Sequence, residues 1–239
     1  MLLRKFYPLE LYVIENIVKQ RLVMSVPKRF NDPFDCALLR DDLFLSNLKE
    51  QEKELLNRIR ILCLFVVDRA AIEYDETQRY FWSFYGDSHK GFCIEINIPD
   101  SEFRITEDDS GNIIKIVNEQ VPFDLLAEKI FSGNVEYHTN IINNIDTLKR
   151  TINRTKAVEI LIKGLFYKDI VFKRENEFRI IKYTDFLDND FDSFSIKKYP
   201  KKLILGRECP SEYELLMKNS IAVNYDLYRV DNNMREIKI

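Results

Sequence analysis

Seven consecutive residues constrain this chain most. In Phe92-Cys93-Ile94-Glu95-Ile96-Asn97-Ile98, large apolar residues alternate with smaller or polar ones, and Pro99-Asp100 stops the run. That pattern predicts a β-strand. A strand's backbone N–H and C=O groups need partners on neighbouring strands, so the chain must build a sheet. Further strands are predicted at residues 22–25, 61–67, 113–117, 135–137, 177–183, 202–205 and 223–230, where residues alternate or β-branched side chains gather. Helical spacing predicts a helix after Pro8, carried by Leu9, Tyr12, Val13 and Ile17. It predicts others at 47–61, at 75–85 opened by Asp75 with Gln78, at 123–132 and across most of 139–166. Ser211 with Glu214 has capping-box spacing before one more. There is no internal repeat and no low-complexity linker, which fits one α+β domain over residues 1–239.

Composition narrows the function. The 239 residues carry 36 Lys+Arg against 39 Asp+Glu, a net −3, which argues against a globally basic nucleic-acid binder. Only six glycines occur, too few for a glycine-rich phosphate cradle. The four cysteines are scattered without a C-x-x-C pair, and the two histidines, His89 and His138, are too few for a multi-histidine metal site; no metal is expected. The N-terminus becomes charged at once and no uncharged apolar run is long enough to span a membrane, so a cytoplasmic protein without a membrane partner is expected.

Three segments have the residue types for chemistry. Phe30-Asn31-Asp32-Pro33-Phe34-Asp35 puts two carboxylates and an amide on a stiff turn; the plain alternative is a loop whose side chains satisfy their own backbone. In residues 82–91, Trp82 and Tyr85 offer flat faces to a planar ring, and Ser88, His89 and Lys90 can reach phosphate oxygens. The plain alternative is an aromatic core face and a solvated turn. In Lys173-Arg174-Glu175-Asn176-Glu177-Phe178-Arg179, an extended chain would line up Glu175, Glu177, Arg179 and Ile181, with Phe178 and Ile180 on the core side. One of the two carboxylates is expected to have a raised pKa unless Arg179 or another cation pairs with it; the plain alternative is a surface salt-bridge ladder.

Together, in this order, these segments resemble the bacterial domain of unknown function 2971 family. The residues that carry the resemblance are Arg4-Lys5-Phe6-Tyr7, the Ser25–Asp35 signature, the Trp82-x-x-Tyr85 helix, the His89–Glu95 strand, Glu175–Arg179 and Leu203–Gly206. Cys63-Leu64-Phe65 stands where the family usually has Cys-Phe-Ser. More loosely, the chain resembles the ADP-ribosyltransferase fold. That resemblance implies two small, mostly antiparallel sheets around a cleft with flanking helices. It implies NAD as substrate, a nucleotide-type small molecule in the cleft, and a protein or nucleic-acid target, as in a toxin or phage-conflict effector. Glu177 would be the catalytic carboxylate and Glu175 its helper. Tyr85 or Trp82 would stack nicotinamide, and Arg4 or Lys5 would meet the phosphates. Asn31 and Asp32 would form the rim, with Tyr7, Lys90 and Arg179 completing the nucleotide site. Two other readings stand beside it: a metal-dependent nuclease using Asp32, Asp35, Glu175 and Glu177, and a non-enzymatic binding module.

Overall fold

The computed structural model describes residues 1–30, 35–36, 46, 50–67, 76–107, 113–117, 131–139, 164–184 and 190–239. In chain order the strands are β1 (Leu2–Tyr7), β2 (Arg21–Ser25), β3 (Ile59–Val66), β4 (Phe92–Asn97), β5 (Phe103–Glu107), β6 (Ile113–Val117) and β7 (Phe131–Asn134). They continue as β8 (Glu136–His138), β9 (Tyr167–Asp169), β10 (Glu177–Tyr183), β11 (Phe191–Ser195), β12 (Lys201–Leu205), β13 (Asp226–Val230) and β14 (Glu236–Lys238). The α-helices are α1 (Leu11–Val18), α2 (Glu50–Asn57), α3 (Glu76–Phe84) and α4 (Ser211–Ile221). The class is α+β, and no helix among the described residues is long and apolar enough to cross a membrane.

The chain divides into two compact units. The first takes residues 1–23, 64–100 and 193–239; the second takes 24–63 and 101–192, so β3 runs from one into the other. The first unit's ladder runs β14, β13, β12, β4, β1 and then the end of β3. Strand β4 is its hub: Leu2–Tyr7 pair with it antiparallel on one side and Lys201–Leu205 on the other. Only β12 and β13 run parallel there. Five of the six β4 residues are buried, which is why its sequence pattern was so clean. Phe81 and Trp82 of α3 pack on Phe6, Phe65, Cys93, Ile204 and Val230 of the ladder. The Phe65 and Phe81 rings lie 4.1 Å apart. Burying each large side chain contributes about 1.5–3 kcal/mol.

The second unit's ladder runs from the start of β3 through β10, β7, β6 and β5, and β8 pairs with β9 in parallel as a separate ribbon. Cys36, Ile59, Ile61, Leu165 and Ile181 form its apolar centre.

Several expected boundaries move. The helix predicted over 47–61 stops at Asn57, because Ile59 and the residues after it join the sheet, where the Thr184 N–H donates to the Arg58 carbonyl. Residues 131–132, expected to end a helix, are strand, paired with Ile180 and Ile181 of β10. Ser211 is the first residue of α4 rather than its cap; Pro210 holds the cap position and no side chain closes it. Strands β5, β9, β11 and β14 were not predicted; β9 and β14 are three residues each, and β11 lacks a clear alternation. The helices expected at 123–130 and 140–163, and the Asp75 cap, lie outside the described residues.

The turn after α3 has an unusual backbone. Asp87, Ser88 and His89 all have positive φ, at 48°, 52° and 69°. Each such residue costs about 1–3 kcal/mol, so the surroundings must enforce it. The His89 N–H donates to the Trp82 carbonyl at 3.1 Å, and the Glu208 N–H donates to the His89 carbonyl at 2.9 Å. A Cβ at Gly206 would lie 2.1 Å from that His89 oxygen. The G206A variant is therefore expected to lose about 1–3 kcal/mol in urea unfolding, the usual cost of overpacking.

Candidate functional site

The second unit gathers charged side chains out of water. Strand β10 brings Glu177 and Arg179, which are 2% and 0% exposed and share one face two residues apart. Phe178 and Ile180 on the other face are also fully buried. The Arg179 Nε donates to Glu177 Oε1 at 2.7 Å and its Nη2 to Asp35 Oδ1 at 2.6 Å. Its Nη1 donates to the Leu165 carbonyl at 2.5 Å and to the Cys36 Sγ at 3.4 Å.

Glu175 reaches the same place by another route. A 3-10 helix, Ile170–Glu175, ends at Asn176, whose φ of 42° and ψ of 56° are left-handed. Asparagine tolerates that conformation. The expected extended run through 175–181 is therefore broken at Asn176, and Glu175 meets Glu177 around a turn rather than along a strand. The two carboxylates converge on Lys168 of β9. Its Nζ lies 2.7 Å from Glu175 Oε2, 3.0 Å from Glu177 Oε2 and 3.6 Å from Asp35 Oδ2. The Glu177 N–H donates to the Tyr137 hydroxyl at 2.8 Å. Two rings face the cations: Phe172 at 4.9 Å from Lys168, and Phe30 at 5.8 Å from Arg179.

These contacts decide the ionisation. Burial alone would push the Glu177 carboxyl up, but Arg179 and Lys168 outweigh it and hold it down to about 2. Burial would lower Lys168, yet Glu177, Asp35 and Glu175 raise it well above the usual ammonium range. Burial pushes the Cys36 thiol far up, against the opposing pull of Arg179. Burial likewise lifts the Tyr137 phenol to about 12. The expectation of a raised carboxylate fails for Glu177 on the condition attached to it: cations pair with it.

The first unit holds a separate ionic cluster. Arg4, expected at a phosphate, is 5% exposed and occupied by carboxylates. Its Nε and Nη2 donate to Glu95 Oε2 at 2.9 and 2.6 Å, and Nη2 also donates to Glu236 at 2.5 Å. Burial opposes its charge, while Cys93, Glu236 and Glu95 raise it. Lys202 adds a contact to Glu95 at 3.0 Å. Arg4, Glu95, Asn97, Lys202, Asp226 and Glu236 line a cavity of about 320 Å³.

The remaining expected site residues fall as follows. Trp82 is 1% exposed, and the Phe6 ring meets it edge-on at 5.1 Å, so its faces belong to the core and not to a ligand. Tyr85 is half-buried beside Phe65. Tyr7 is buried against Phe92, also as core. Lys5 is half-buried with its ammonium 5.8 Å from the Tyr7 ring, and Lys90 is exposed on the strained turn. Asn31 and Asp32 lie outside the described residues. Sequence reasoning missed Lys168 and Tyr137. The signal for Lys168 was the charged pair Lys168-Asp169 set between the apolar runs Leu165-Phe166-Tyr167 and Ile170-Val171-Phe172.

For the metal reading, Asp35, Glu175 and Glu177 do meet, each within 3.6 Å of one point and so well inside the ~10 Å that sharing ions demands. The cation at that point is the chain's own ammonium. Among the described residues no group of three or more His, Cys, Asp or Glu side chains is arranged to hold a metal ion.

Residues 81–180 match the family model described as protein of unknown function (DUF2971). The matched segment opens in α3 and closes in β10, just after Glu175–Arg179. This bears out the family resemblance read from the sequence. Comparison with curated proteins and with solved structures finds no match.

The buried cluster makes stability depend on pH. Because folding depresses the Glu177 carboxyl to about 2, its contribution is complete above the unfolded value of 4.5 and is lost as pH falls from there toward 2. Urea midpoints measured between pH 7 and pH 3 are expected to fall across that window. The R179M variant, which strands buried carboxylates, is expected to lose about 3–5 kcal/mol at pH 7.

Proposed function

We propose that this protein is an NAD-using, ADP-ribosyltransferase-like enzyme acting on a protein or nucleic-acid target, with Glu177 as the catalytic carboxylate. The observation that carries this reading is a sequestered carboxylate kept ionised by two fixed cations. In ADP-ribosyl transfer the bond between ribose C1′ and the nicotinamide nitrogen breaks, and its electron pair leaves with nicotinamide. Positive charge builds on the ribose until a target nucleophile bonds C1′ and gives up its proton. A charge that develops in the transition state is best met by an opposite charge already in place. Glu177 meets that need: Arg179 and Lys168 keep it unprotonated at every physiological pH.

The described contacts support the same chemistry: Glu177 touches both Lys168 and Arg179, and Asp35 and Glu175 share those cations with it. Glu177 is 2% exposed, so substrate entry requires local opening of the cluster. The stacking ring for nicotinamide moves from Trp82, which is core, to the aromatic residues beside the cluster, Phe172 and Tyr137.

The test is incubation with NAD labelled in the adenylate part, with release of nicotinamide and transfer of label to lysate macromolecules followed together. Wild-type protein is expected to release nicotinamide. E177Q keeps the shape and removes the charge, and is expected to slow release roughly 10²–10³-fold, the loss typical of one preorganised electrostatic group. Circular dichroism confirms that the variant is folded. A wild-type protein that releases no nicotinamide, or an E177Q protein as fast as wild type, overturns the reading.

A further inference from the structure

We propose that Lys168 is a positioning residue of the Glu177 site: its ammonium holds Glu175, Glu177 and Asp35 in one arrangement and keeps Glu177 charged. The inference rests on the reading of Glu177 as the working carboxylate, and adds the group that governs its state.

The geometry carries it. Arg179 binds Glu177 and Asp35. Lys168 touches both of those carboxylates and Glu175 as well. It binds Oε2 of Glu177 at 3.0 Å, where the Arg179 Nη2 donates only at 3.4 Å, while the Arg179 Nε holds Oε1 at 2.7 Å. The carboxylate is thus gripped from both oxygens by two elements, β9 and β10, and its plane is fixed. Each grip comes from the chain itself: Lys168 lies nine residues before Glu177, on the far side of the 3-10 helix and Asn176. The Lys168 side chain is 6% exposed, and a lysine so placed stays charged only with several counter-charges in contact. Phe172 covers it at 4.9 Å. Among the described residues, the groups facing Glu177 include Lys168, Arg179, the Cys36 and Cys63 thiols and the hydroxyl of Tyr137. Of these, Lys168 alone joins Glu177 to Glu175 in the described contacts.

A merely structural lysine would change stability and leave the ionisation of Glu177 where it is. A positioning lysine would move both. The experiment uses the full chain with K168M and K168R. The Glu177 carboxyl is titrated by carbon NMR, and the pH profile of nicotinamide release is recorded alongside. K168M is expected to raise the Glu177 midpoint by about one unit or more, a tenfold gain in proton affinity. The acid limb of the rate profile moves up with it. K168R keeps the charge and is expected to restore both toward wild type. An unmoved midpoint in K168M, or a K168R midpoint displaced as far as that of K168M, overturns the proposal. Should K168M fail to fold, the wild-type protein decides: the Lys168 ammonium is expected to give a slowly exchanging NH₃⁺ signal at neutral pH, and a signal averaged with solvent overturns it. If wild-type protein releases no nicotinamide, the enzymatic reading falls, while the titration still decides the role of Lys168.

Discussion

A guanidinium removed from water cannot shed its proton, so a chain that buries one must bring acceptors to it. Arg179 is 0% exposed, and the second unit is organised around that demand. Glu177 answers from the same strand, and Asp35 from a segment 144 residues away in sequence. The Leu165 carbonyl answers from the stretch before β9. Each of those acids then needs a second cation, which Lys168 supplies. One buried charge thereby ties the Asp35 segment and the 165–168 stretch to β10. The net gain in stability is modest, because removing ions from water costs several kcal/mol each, and an apolar packing of equal volume would often hold the pieces as well. What the ionic version provides is a set of carboxylates with defined direction.

The elements were legible wherever one period dominated. Residues 113–117 and 177–183 were read from sequence with the limits the structure shows, and β4 to within one residue, because their apolar positions alternate or cluster without interruption. Boundaries failed where tertiary pairing outweighed local preference, as at Ile59, which has a place on a helical stripe but joins a ladder. Glu175 and Glu177 were found from spacing, yet for a reason that does not hold: they meet because Asn176 turns the chain, not because a strand alternates. Trp82 and Tyr85 show the opposite error. An aromatic helix face looks the same in sequence whether it meets a ligand or a core, and here Phe6, Phe65 and Cys93 meet it.

Lys168 and Tyr137 were invisible for a further reason. Their roles are set by contacts across 9 and 40 residues of chain, to a carboxylate and to a backbone N–H. Nothing local encodes such contacts. A lysine set between apolar runs, as Lys168 is with Asp169 beside it, does announce that a counter-charge waits somewhere, since an ammonium is rarely buried unpaired. It does not announce which one.

Both units contain an arginine on a strand gripped by carboxylates, and the two clusters differ in how dry they are. In the first, Arg4 and Lys202 face Glu95, and Arg4 also binds Glu236. Burial of Glu95 is outweighed by Arg4 and Lys202, which hold its carboxyl below the usual range. Lys202 is 37% exposed there, so water screens part of the interaction. In the second unit Asp35, Glu175, Glu177, Lys168 and Arg179 are none of them more than 6% exposed at the side chain. Charges held away from water act on one another more strongly than the same charges beside it. The described contacts of the second cluster are therefore the stiffer of the two, and those of the first, which line the cavity beside Arg4, are the more open to exchange with water.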